Sequence, residues 1–134
     1  MLSGAPSTGW ALLTGADPLA ATRAAGRLVL PRTSRPLPLL AVAALAHGAL
    51  SLGWTAVLVR LPGGAGRGAA YGGAIAALDL GLARTVRGER FGPVADLPVL
   101  PQLADHVLFG ILVSARAGFS STGRARPSAP RAAR

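Results

Sequence analysis

Residues Leu37 to Val59 (LPLLAVAALAHGALSLGWTAVLV) run for 23 positions without a formally charged side chain, and Arg60 closes the run. A helix crossing the hydrocarbon core of a bilayer needs about 20 apolar residues, so this stretch is expected to span a membrane. Pro36 and Pro38 stand at its start, where a missing N–H costs least. Trp54 falls near its far end, at the depth interfacial aromatics prefer. The run is too long, and begins too deep in the chain, for a secretory signal.

Composition agrees with that reading. Hydrophobic residues make up 51% of the chain and charged ones only 14%, against about 25% in an ordinary globular domain. Too little polar surface is available to coat a compact soluble fold, and hydrophobicity is too high for a disordered polar chain. All 14 basic residues are Arg, against 5 acidic ones, for a net charge of +9. The Arg, Ala, Gly and Pro usage fits the codon bias of a GC-rich genome, so the basic balance need not signal a basic-site ligand. Cys and Lys are absent. This excludes disulfides, thiolate metal sites and thiol nucleophiles, and with them Schiff-base and P-loop lysines.

Two further spans are expected. Gly68 to Ala83 (GAAYGGAIAALDLGLA) reaches only about 24 Å as a helix. Extended to about residues 65–84 it nears the hydrocarbon width, with Arg67 and Arg84 snorkelling to the headgroups. The third runs over about residues 99–116, with Pro98 and Pro101 at its start, Asp105 in its early turns and Arg116 at its end. The predicted architecture is an all-α small transmembrane bundle of three spans (about 37–59, 65–84 and 99–116). A peripheral segment, 1–36, precedes it, and a disordered basic tail, 117–134, follows. In the peripheral segment, Asp17 and Pro18 predict a helix start and a surface-lying helix to about Leu30. Residues 84–97 read as a polar loop. The flanking arginines divide seven against seven between the two sides, so the positive-inside rule leaves orientation open.

Small residues recur every four positions in the second span. Gly64, Gly68, Gly72 and Ala76 form one line, and Ala69, Gly73, Ala77 and Gly81 the adjacent one. Residues four apart share a helix face, and close backbone approach is what drives helix association in lipid. Gly68, Gly72, Gly73, Ala76, Ala77 and Gly81 are therefore the helix-packing candidates. They serve either contacts within the chain, the more common use, or a homo-oligomer or larger membrane assembly.

His47, Asp79, Asp105 and His106 are polar residues at predicted membrane depth, where a charge is costly unless it faces protein or water. Asp79 shares the face of Gly72 and Ala76 and is expected to point into the helix packing. Asp79, Asp105 and His106 are expected at similar depth near one interface, and His106, Gly110 and Ser114 share a face. Such a cluster can pass protons or hold a cation; its more ordinary use is hydrogen bonding between helices. His47 is expected to be a hydrogen-bonded packing residue. No HxxxH or ExxH spacing supports a metal site, and no catalytic set is present. The glycine cluster PGGAGRGAAYGG fits no G-x-G-x-x-G frame. The tail lacks aromatics among its arginines, so anionic lipid headgroups, and not nucleic acid, are its expected partners. No cofactor is implied.

The stretches AALDLG (Ala76 to Gly81) and LPVLPQLADHVLFG (Leu97 to Gly110), following LAHGALSLGW (Leu45 to Trp54), resemble small multi-pass integral membrane proteins of unknown function from GC-rich actinobacteria. The resemblance covers roughly residues 9–115. It implies a cell-membrane location and a helical architecture, with no assigned activity. Members carry an additional N-terminal span, so the resemblance also implies either a shortened copy or a misassigned start codon here. The expected function is that of a non-enzymatic structural or accessory membrane component. The alternative is a small transporter-like or proton-conducting protein using its intramembrane Asp and His.

Overall fold

The computed structural model describes residues 4–122, with side chains through residue 116. Among these residues there are six helices and no strands: α1 (Ala5–Thr14), α2 (Ala20–Val29), α3 (Pro36–Leu58), α4 (Ala65–Val86), α5 (Gly88–Ala95) and α6 (Val99–Thr122). The all-helical class stands. The count of spans does not: α3 is long and apolar enough to cross a membrane, and α5 with α6 passes only if the pair, bent by 87°, is one broken span. The expected three-span, multi-pass architecture is therefore corrected to one such helix, or two. By length alone α4 would pass, since 22 residues make about 33 Å. Its apolar content is diluted by Arg67, Asp79, Arg84 and five glycines.

The densest packing joins α4 to α6. They run antiparallel in a fixed register, because small residues every fourth position let the two backbones touch. Gly64 N–H donates to the Ser114 carbonyl at 3.2 Å. Further along, a methyl at Gly68 would lie 2.9 Å from Ile111 Cα, and one at Gly72 only 2.7 Å from Val107 Cα. Gly110 answers from the other side, where an added Cβ would meet Gly72 Cα at 3.0 Å. None of these positions tolerates a side chain without moving backbone.

The N-terminal region is not merely peripheral. Helix α2 packs along α3 and α5 and buries Ala24 and Gly26. Gly26 seats against the Leu39 backbone, 2.9 Å from Leu39 Cα to where a Cβ would stand. The Asp17 signal is off by a little: Asp17 Oδ1 accepts from Leu19 N–H at 2.8 Å, α2 begins at Ala20, and Asp17 also pairs with Arg23. The expected surface helix thus exists but is packed on one face. Helix α1, unforeseen, lies against α6.

The stretch read as a polar loop contains α5. Arg87 (φ 43°) and Gly88 (φ 78°) have positive φ, which breaks the helix between α4 and α5. Arg87 also pairs with Asp96 at 3.6 Å across the ends of α5. Helix α6 continues to Thr122, past the expected end at 116, so 117–122 are helical and not part of a disordered tail. The remaining expected tail, 123–134, lies outside the described residues.

Candidate functional site

The polar residues of α4 and α6 are positioned by the glycine register. Side chains on a helix lean toward its N-terminus, so the ring of His106 reaches back along α6, past the contact at Gly72, toward the C-terminal part of α4. There its Nε2 lies 3.2 Å from Asp79 Oδ2. Its Nδ1 lies 2.8 Å from the Gln102 carbonyl oxygen, one turn earlier in the same helix. A carbonyl and a carboxylate are both acceptors. Both contacts therefore form as hydrogen bonds only when the ring carries two protons, or when the carboxyl itself holds the bridging one. The arrangement has the geometry to share a proton between two side chains.

Asp79 does not point fully into the helix packing as expected. Its side chain is 45% exposed, against 26% for His106. The register explains this. If Gly68 faces Gly110 and Gly72 faces His106, the position opposite Asp79 is Val99, the first residue of α6. Asp79 thus stands where the partner helix begins and cannot be covered by it. Its neighbours Leu80 and Ala83 are buried because α5 also packs on α4.

Asp105 leaves the expected cluster altogether. One position from His106 on a helix means a turn of about 100°, and its Oδ1 accepts the backbone N–H of Ser7 at 3.0 Å. Ser7 is in the first turn of α1, which has no side-chain cap of its own. A carboxylate there satisfies an orphan donor and faces the positive end of the helix dipole. Asp105 is a tertiary cap; nothing in its spacing alone signals that, because the helix it caps was not legible.

His47 is exposed on α3 and takes part in no hydrogen bond among the described residues, which corrects its expected role as a hydrogen-bonded packing residue. The two small-residue lines of α4 separate. Gly68, Gly72 and Ala76 are buried against α6, whereas Gly73 is half-buried and Ala77 and Gly81 are exposed. Nothing lies within 4 Å of where a Cβ would stand at Gly73 or Gly81. On α6, Gly110 and Ser114 are buried, so the face shared by His106, Gly110 and Ser114 is the one that meets α4. Ser114 is fully buried, and its hydroxyl has no hydrogen-bond partner among the described residues. No cluster of three or more metal-ligating side chains occurs among the described residues.

Set against family models, curated proteins and solved structures, the chain matches none.

Proposed function

We propose that this chain is a non-enzymatic structural or accessory component of a cell membrane, held in the bilayer by α3. The observation that carries the reading is how little of α3 the rest of the fold covers. Only 11% of its most apolar stretch is buried, and Leu37, Leu45 and Leu52 are each more than 70% exposed. A core helix of a water-soluble domain would be mostly covered, since contiguous apolar surface of this extent is not left open to water. Lipid is the solvent that matches it. The resemblance to small actinobacterial membrane proteins points to the same place. Anionic headgroups are the partners suggested by the arginines, and the uncovered line Gly73, Ala77, Gly81 leaves room for a homo-oligomer or larger assembly.

Washing membranes with alkaline carbonate tests this reading. The chain is expected to stay with the membrane pellet; recovery in the wash would overturn the proposal.

A second reading rests on the Asp79–His106 pair, whose Nε2 and Oδ2 stand 3.2 Å apart, close enough to share a proton. That is the minimum device for a proton-conducting or transporter-like element. Asp105, committed to α1, is no part of it. Proton flux into liposomes carrying the protein, lost in Asp79→Asn while folded protein is retained, would favour this reading over the structural one.

A further inference from the structure

A groove of about 610 Å³ opens between the segment joining α2 to α3 and the start of α5. Its polar lining is Arg32, Thr33, Glu89 and Arg90, and its apolar wall includes Val29 and Pro31. We propose that this groove binds the phosphate group of an anionic phospholipid, an inference that rests on the membrane reading of α3.

Three features converge. The first is position. Arg32 lies four residues before α3 begins at Pro36, so when α3 spans the bilayer the groove stands at the depth of the headgroups on that side. The second is charge. Arg90 donates from Nη1 to the Leu28 carbonyl at 3.1 Å, which fixes its guanidinium beside the groove and leaves its other N–H donors to face a ligand. Arg32 Nε is 3.8 Å from Glu89 Oε1, and the two side chains are 89% and 60% exposed. A contact that long and that wet is worth little, so a phosphate offering two oxygens to a guanidinium fork displaces the Glu89 carboxylate readily. Two guanidiniums against one carboxylate leave the lining net positive.

The third feature is the apolar wall, which selects the source of the phosphate. Val29 is 48% exposed and stands beside the cationic lining. A free phosphate ion gains nothing from an apolar neighbour, whereas the glycerol and first methylenes of a phospholipid do. The groove matches an amphiphile, polar at one wall and apolar at the other.

The test uses the full chain in phosphatidylcholine vesicles, with and without phosphatidylglycerol, extracted gently and assayed for retained lipid by mass spectrometry. The wild type is expected to retain phosphatidylglycerol over phosphatidylcholine. Arg32→Gln, at a position exposed enough to leave folding alone, is expected to weaken that preference about fivefold, the equivalent of ~1 kcal/mol for one arginine near an anionic surface. Glu89→Gln is expected to strengthen it, because it removes the competing carboxylate. Arg60→Gln, at the opposite end of α3, removes the same charge outside the groove and is expected to weaken the preference clearly less than Arg32→Gln does. Equal losses from Arg32→Gln and Arg60→Gln would overturn the site in favour of diffuse charge. Displacement of phosphatidylglycerol by inorganic phosphate at matching concentration would overturn the lipid as its ligand. A chain released by carbonate removes the membrane reading itself; a chain that stays in the membrane with retention indifferent to Arg32 removes only the groove.

Discussion

Asp105 and His106 are adjacent, yet each serves a different helix: one carboxylate caps α1 while the neighbouring imidazole meets α4. A carboxylate on a first-turn N–H is worth about 1 kcal/mol, and α1 buries only Ala11 besides. Asp105→Ala is therefore expected to loosen α1 selectively. Hydrogen exchange should show amides of residues 5–14 losing protection while those of α4 keep theirs; uniform loss would mean that Asp105 supports the whole fold. Ser114 invites the opposite outcome. Its hydroxyl is buried without a partner among the described residues, a condition that costs about 1–3 kcal/mol relative to a satisfied or absent group. Ser114→Ala is expected to leave the melting temperature in detergent unchanged or to raise it, and a clear fall would show that the hydroxyl has a partner. The residue types at these positions were legible in the sequence, but their partners were not, because a side chain's neighbour is set by a register that no local pattern fixes.

That register comes from the α4–α6 glycines, the part of the fold the sequence announced best. The four-residue spacing of Gly64, Gly68, Gly72 and Ala76 located the packing face, and the shared face of His106, Gly110 and Ser114 located its counterpart. What spacing could not decide was which of the two parallel lines on α4 would be used, since Gly73 and Gly81 are as small as Gly68 and Gly72. Substitution separates them. Gly72→Ala forces a methyl to within 2.7 Å of Val107 Cα and is expected to cost about 1–3 kcal/mol through overpacking. Gly73→Ala meets nothing within 4 Å and is expected to stabilise α4 by up to ~1 kcal/mol of helix propensity. Thermal unfolding in detergent should show shifts of opposite sign; two losses would mean that the second line is also in contact. The helices that escaped notice, α1 and α5, are short, 10 and 8 residues, and each contains glycine and proline. Their intrinsic propensity is poor, and they exist because α6, α4 and α2 offer surfaces on which they pack.

In the molecule as a whole, two halves obey different physics. The α4–α6 pair is glued by backbone contact and tolerates Arg67, Asp79 and Arg84; α3 contains no formally charged residue and presents Leu37, Leu45, Leu50 and Leu52 outward. Run length, flanking arginines and starting prolines pointed to three spans in the sequence, Leu37 to Val59 the clearest; among the described helices α3 alone is by itself long and apolar enough to cross a membrane. The asymmetry yields a decisive substitution. Leu45 lies near the middle of α3 and is 74% exposed. If α3 faced water, Leu45→Arg would be an ordinary surface change, within about 0.5 kcal/mol of neutral. If α3 faces lipid, the same arginine sits near the bilayer centre, at a cost of at least ~2.5–3.5 kcal/mol on insertion scales. Leu45→Arg is therefore expected to shift the chain from the carbonate-resistant pellet toward the wash or toward degradation, while Leu45→Phe leaves it in the pellet. An arginine variant that folds and stays membrane-integral at wild-type abundance would show that α3 does not cross the bilayer at this residue.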